Sequence, residues 1–131
     1  MTDTITIWLD VPLSNNNAGQ TRHWSAAYEA KAEFELALAA WCRWKAPTPP
    51  DHQQRIVVTR ILGKGERLWD ADSVLRGTAK QLIDALADAG FFHDDGPKWI
   101  TEAVGRQDAT QRQRGPAVQI EIERIELPGM M

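Results

Sequence analysis

The stretch 68–96, LWDADSVLRGTAKQLIDALADAGFFHDDG, carries six carboxylates and one lysine. Asp70 and Asp72 are two residues apart, so in an extended segment their side chains point to the same side. Two carboxylates held that close repel unless a cation lies between them or one takes up a proton. Magnesium suits such a pair, because it prefers oxygen ligands and commonly takes one or two protein carboxylates plus water and substrate phosphate. Asp94 and Asp95 come just after the following helix and can fold back to add a third ligand. Lys80 and Asp84 are four apart on the flank of that helix, where a lysine could orient a phosphate or stabilise charge on a leaving oxygen. Each residue also has a plainer role: Asp72 as a helix N-cap, Asp94-Asp95-Gly96 as a turn, Lys80 and Asp84 as an exposed ion pair. Spacing by itself favours the caps and turns.

These side chains need a scaffold. Residues 4–9 alternate Ile5, Ile7 and Leu9 against Thr4, Thr6 and Trp8, the two-residue period of a strand, which Pro12 ends. The polar loop LSNNNAGQTRHW follows, and Ser25 can cap a helix over 26–45 with Phe34, Leu38 and Trp41 at helical spacing. Pro47, Pro49 and Pro50 forbid its continuation. The β-branched run 55–62, RIVVTRIL, predicts a second strand, ended by Gly63 and Gly65. Leu75, Ala79, Leu82, Ile83 and Leu86 mark the apolar face of a second helix over 74–89, which Gly90 is placed to end. Residues 99–104 and 118–125 predict two final strands, separated by a polar segment, 105–115, that reads as a mobile hairpin loop. The expected fold is one α+β domain spanning 1–131, in the order β-α-β-α-β-β, with a mixed sheet covered by two helices.

The chain has 131 residues, 43% hydrophobic and 25% charged, an ordinary composition for a domain that folds without disulfides or a structural metal. Its single cysteine, Cys42, lies among Ala39, Ala40 and Trp41, predicting a buried, inert thiol and excluding a thiolate zinc site of the usual kind. With no apolar stretch near the length that spans a bilayer and no leader pattern, the expected location is the cytoplasm, with no membrane partner. A net charge of -3 argues against a protein that coats DNA electrostatically. The charge is segregated, however: 60–67 and 106–114 each hold three basic residues and one acid, while Glu29, Glu33 and Glu35 share one predicted helix. Modestly basic loops are therefore available around the acidic cluster, although each taken alone reads equally well as an ordinary solvated loop.

The central pattern, D-x-D, then a helix carrying K-x-x-x-D-A-L, then A-G and D-D, resembles that of the RusA-type Holliday-junction resolvases, small endodeoxyribonucleases of bacteria and phages. Here it reads Asp70-Ala71-Asp72, Lys80 to Leu86 with Asp84 inside, Ala89-Gly90 and Asp94-Asp95. Weaker similarity extends to PLSNNNAGQTRHW and to the last two strands. The resemblance implies a RusA-like fold and a homodimer that binds four-way DNA junctions and nicks two strands symmetrically with magnesium, manganese being an alternative ion. By position, Asp70, Asp72 and Asp95 would be the metal ligands and Lys80 the essential basic residue of the catalytic set, with Asp84 and Asp94 behind them. Arg22, Arg67, Arg76, Arg112 and Arg114, with Trp69, are the candidate DNA contacts. Two departures stand out: Ser73 occupies the position after D-x-D where the family commonly has Asn, and the spacing from Asp72 to Lys80 is longer, with Gly77 a place for a bulge.

The chemistry implied is phosphodiester hydrolysis by metal-activated water, with Lys80 assisting developing charge. His93 beside the acidic pair reads better as a solvated turn residue than as a base, His23 is a candidate DNA contact, and His52 beside prolines is uninformative. Of six tryptophans, Trp8 and Trp41 fit core positions better than base-stacking platforms. The alternative function is a DNA-binding or assembly protein of the same fold that has lost catalysis, consistent with Ser73 and the acidic balance. No Gly-rich phosphate loop supports another phosphoryl-transfer chemistry.

Overall fold

A computed structural model describes residues 4–13, 24–43, 47–70, 73–77 and 79–125, with side chains of the first helix described from Glu29 onward. Among them lie β1 (Thr4–Leu9), α1 (Trp24–Trp41), β2 (Gln54–Ile61), α2 (Ala79–Ala89), β3 (Ile100–Asp108) and β4 (Ala117–Arg124). The strands form one four-stranded mixed sheet in the order β1-β4-β2-β3. β4 runs antiparallel to both β1 and β2, while β3 runs parallel to β2. Parallel neighbours need a crossover connection, and α2 provides it. This is the α+β arrangement expected from the sequence, in the order β-α-β-α-β-β, with two helices on a mixed sheet.

The strand periods explain which face is covered. Ile7 and Leu9 of β1, Val118, Ile120 and Ile122 of β4, and Ile56 and Val58 of β2 are buried in one cluster with Phe34 and Leu38 of α1 and Leu82 and Leu86 of α2. Both helices therefore sit on the same face of the sheet. In α2 the buried residues Ala79, Leu82, Ala85 and Leu86 follow the helical repeat, so one stripe meets the sheet and α1 while Lys80 and Asp84 fall at its margin. The opposite face carries Arg55, whose guanidinium bridges Glu102 on β3 (2.6 Å) and Glu123 on β4 (3.2 Å). No described helix is long and apolar enough to cross a membrane.

Several expectations need correction. Helix α1 starts at Trp24, which puts Ser25 inside its first turn rather than at its cap, and it ends at Trp41 rather than 45. Arg43 takes a left-handed conformation (φ 55°), and its amide and that of Cys42 close the last turn on Ala40 and Leu38. Helix α2 starts at Ala79, not 74: Val74 is buried and makes a separate turn with its neighbours, packed onto β3. That close approach is possible because Gly105 lies beneath it, where a Cβ would stand 2.9 Å from the Val74 Cβ. The segment 105–115 is not a hairpin loop. Its first four residues continue β3 along β2, and β2 separates β3 from β4, so the two last strands are not partners. The turn that follows is tied by Asp108, whose carboxylate accepts hydrogen bonds from Thr110 and Gln111, which hold its pKa below the usual carboxylate value.

Trp8 and Trp41 are not core residues. Trp8 lies on the face opposite the core, its indole N–H donating to Asp10 and the Arg114 guanidinium 4.0 Å above its ring. Trp41 is 42% exposed and makes a tilted ring contact with Phe91. Cys42 is half-buried, and burial pushes its thiol pKa up.

Candidate functional site

The residues singled out in the sequence enter the structure from three places: the extended segment ending at Asp70, helix α2, and the chain that leaves α2. Asp72 and Arg22 lie outside the described residues.

The segment before Asp70 is anchored at the carboxyl end of β3. The Trp69 amide donates to Gln107 Oε1 (2.8 Å), and Gln107 Nε2 donates to the Trp69 carbonyl (3.0 Å). The guanidinium of Arg60, a residue only 4% exposed, stacks 3.7 Å from the Trp69 ring centroid. It also donates to Gln107 Oε1 and to the Arg67 carbonyl, both at 3.0 Å. Burial lowers the Arg60 pKa, with Arg112 adding to that effect and Glu66, 3.7 Å away, opposing it. Asp70 itself is exposed, and its carbonyl accepts the Ser73 amide (3.0 Å).

The exit from α2 is shaped by Gly90. Its φ of 107° and the hydrogen bonds Gly90 N–H to Ala87 O and Phe91 N–H to Leu86 O make a left-handed cap that turns the chain back. Any side chain here would be strained, and a Cβ would meet the Pro47 carbonyl at 2.6 Å. Phe91 and Phe92 are buried and fix the returning segment, which then exposes His93, Asp94 and Asp95. Asp94 accepts the Gly96 amide (2.7 Å), the turn role expected of it. His93 is turned to Asp51 (2.7 Å) and packs on Trp99, so its ring serves that corner of the fold.

Asp95 meets Asp84. The half-buried Asp84 carboxyl is hydrogen-bonded to that of Asp95, and its pKa is pushed up to about 6. Desolvation contributes most, followed by the hydrogen bond and the charge of Asp95, while Lys31 and Lys80 act in the opposite direction. Asp84 is thus the acid that the fold brings to Asp95, whereas the sequence pointed first to Asp70 and Asp72. Asp70 is tied, through Trp69, to Gln107 near the carboxyl end of β3, and Asp95 lies just before its amino end, where the Ile100 amide bonds to Gly96 (3.0 Å). A nine-residue strand separates those ends by roughly 25–30 Å. Among the described residues no three His, Cys, Asp or Glu side chains are grouped to hold a metal.

The donor chemistry of the Asp84–Asp95 pair nevertheless fits a hard divalent ion. It offers oxygen atoms only, and two carboxyl groups in hydrogen-bond contact occupy the arrangement that a cation stabilises when it displaces the shared proton. Magnesium needs no more than one or two such groups.

The basic candidates divide. Arg112 is half-buried and spends its guanidinium on the Gly63 and Glu66 carbonyls (both 2.7 Å), so it builds the 63–67 loop. Arg67 and Arg76 are exposed, and Arg114 is exposed while stacked on Trp8. Trp69 has one ring face covered by Arg60 and packs against the core. Sequence reasoning missed Gln107 and Arg60. Arg60 stood out as a cation inside a β-branched run, but Gln107 carried no local signal. Comparison with protein-family models and with curated proteins finds no match for this chain.

Proposed function

We propose that the chain is a magnesium-dependent, structure-specific endodeoxyribonuclease that hydrolyses phosphodiester bonds in branched DNA, as its resemblance to RusA-type resolvases implies, and that it acts as a homodimer. The observation that carries the reading is the Asp84–Asp95 carboxyl pair on and just after the helix that bears Lys80. A pair whose repulsion is relieved by one proton can be relieved instead by a metal ion. Asp70, at the start of D-x-D, is a further carboxylate that the resemblance assigns to the site, although it is held toward the opposite end of β3 from this pair. Bound magnesium would supply an acidified water and neutralise phosphate charge. Lys80, one helical turn before Asp84 and exposed, presents its ammonium to charge developing on the departing oxygen. The Asp84 carboxyl, with its pKa near 6, holds a proton in mildly acidic solution and releases it close to neutrality.

Ser73 in place of the family's Asn, together with the net charge of -3, favours a second reading: a DNA-binding or assembly protein of the same fold without catalysis. One assay separates the two. A labelled four-way junction is incubated with Mg²⁺ and either the parent or an Asp70→Asn version. Paired nicks from the parent alone support the nuclease, tight binding without nicks supports the second reading, and equal cleavage by both removes Asp70 from the site. Symmetric nicking also requires two sites related by a two-fold axis, so a protein that stays monomeric with the junction contradicts the dimer.

A further inference from the structure

Gln107 makes with Trp69 the two hydrogen bonds that one strand ordinarily makes with the next, using its side-chain amide in place of a backbone. The Trp69 carbonyl it holds belongs to the peptide bond whose nitrogen is that of Asp70. On the other side, the Asp70 carbonyl accepts the Ser73 amide. The backbone of Asp70 is therefore fixed from both directions while its carboxylate stays exposed. Arg60 holds Gln107 in turn, donating to the same Oε1 that accepts the Trp69 amide, and it lies flat against the Trp69 ring.

Such a network is an uneconomical way to gain stability. Burying a guanidinium and half-burying an amide cost desolvation that their hydrogen bonds only offset, and apolar residues of the same volume do as well or better. What a satisfied polar network adds is a unique geometry, and among the described residues no buried side-chain nitrogen or oxygen lacks a partner. The geometry specified here is the path by which the chain, after leaving β2, passes the carboxyl end of β3 on its way to Asp70.

We infer that Gln107 is a positioning residue for the Asp70 carboxylate, with Arg60 holding Gln107 in place. The inference rests on the reading of Asp70 as a metal-binding carboxylate. Gln107 sits one residue before the end of β3, on a strand already paired to β2, so the element that carries it is rigid. A metal ligand on an otherwise extended segment needs such a support, and loss of an outer hydrogen-bond partner commonly weakens metal binding roughly 10–100-fold.

The test compares the parent with Gln107→Glu, Gln107→Leu and Asp70→Asn. Gln107→Glu keeps an acceptor for the Trp69 amide and for Arg60 but sets an oxygen against the Trp69 carbonyl in place of the donor, so it disrupts that one contact while retaining the Arg60 pairing even if Gln107→Leu does not fold. Mn²⁺ affinity is read by electron paramagnetic resonance, alongside melting temperature and amide hydrogen exchange over 68–74. The expected result is a melting temperature for Gln107→Glu close to the parent's, with Mn²⁺ affinity down roughly 10-fold, and down at least as far in Asp70→Asn. Unchanged affinity in both Gln107 variants beside a weakened Asp70→Asn overturns the positioning role while leaving the metal reading intact. If Asp70→Asn binds Mn²⁺ as the parent does, the reading of Asp70 as a metal ligand fails, and if the parent binds none, the metal reading fails as a whole. The support of the Asp70 backbone is then decided by exchange alone: faster exchange in Gln107→Leu or Gln107→Glu upholds it, and parent-like exchange in both overturns it.

Discussion

The two ends of β3 are built on opposite principles. At its carboxyl end the half-buried Gln107 and Trp69 form a mutually satisfied polar network around Arg60, a residue that is 4% exposed. Toward its amino end, the segment leaving α2 is anchored by buried phenylalanines and a left-handed glycine but presents Asp94 and Asp95 outward, and Asp95 meets the half-buried Asp84 of α2, whose carboxyl shares a proton with it. The first arrangement has its polar capacity used up and can only hold things in place. The second has carboxylates that are not matched by equal positive charge, which is the condition for binding a cation or moving a proton. The contrast separates residues that position from residues that react, although both kinds are polar and both were candidates on sequence alone.

Breaking the carboxyl-end network has the largest expected effect on stability. Arg60→Leu removes donors from Gln107 and from the Arg67 carbonyl in a buried setting, and it should lower unfolding free energy by about 2–3 kcal/mol, measured by urea denaturation. A loss below about 0.5 kcal/mol would mean that this end is not the rigid partner in the comparison. Gly90→Ala acts at the other end. The positive φ and the approach to the Pro47 carbonyl make a cost of about 1–2 kcal/mol the expectation, read from a thermal melt, because the turn must shift for the added methyl to fit. The same shift should loosen the contact between Asp84 and Asp95.

The smallest effect is a pH dependence, because solvent screens the half-buried carboxyl. Asp84 has a folded pKa near 6 against an ordinary value of 3.8, so the folded state holds this proton more tightly than the unfolded chain does. Its contribution to stability is complete below 3.8 and is lost as the pH rises through about 6. Asp84→Asn should flatten this part of the stability profile between pH 4 and 6, since the amide cannot ionise. A parent and variant whose profiles run parallel across that interval would show that folding does not raise the Asp84 pKa.

Much of the scaffold was legible in the residues because burial imposes a period on them. Ile7 and Leu9, Ile56 and Val58, and Ile120 and Ile122 alternate as strand residues must when one face is covered, and Phe34 with Leu38 marks the inner side of α1. The failures have physical causes too. Val74 and Leu75 extend the apolar pattern of α2 backward, but they pack on Gly105, a contact between residues thirty apart that no local pattern announces. Residues 105–108 look like loop in isolation and are strand because β2 is there to pair with them. Strand order was hidden for the same reason: adjacency in sequence suggested that β3 and β4 pair, while the apolar β2 takes the position between them. Of the site, Asp95 and Lys80 were visible as types and spacings. The partnership of Asp95 with Asp84 depends on the direction in which Gly90 turns the chain, and the support of Asp70 depends on a glutamine in a segment that reads as loop.

The most direct test of the central claim is cleavage of a labelled four-way junction with Mg²⁺ by the parent, Asp70→Asn and Asp95→Asn. The account predicts paired, Mg²⁺-dependent nicks from the parent and a loss of more than about 100-fold in each variant, beyond what removal of an outer partner costs. Nicking that persists at the parent's rate in Asp95→Asn, or a parent that binds the junction and never cuts it, would contradict it.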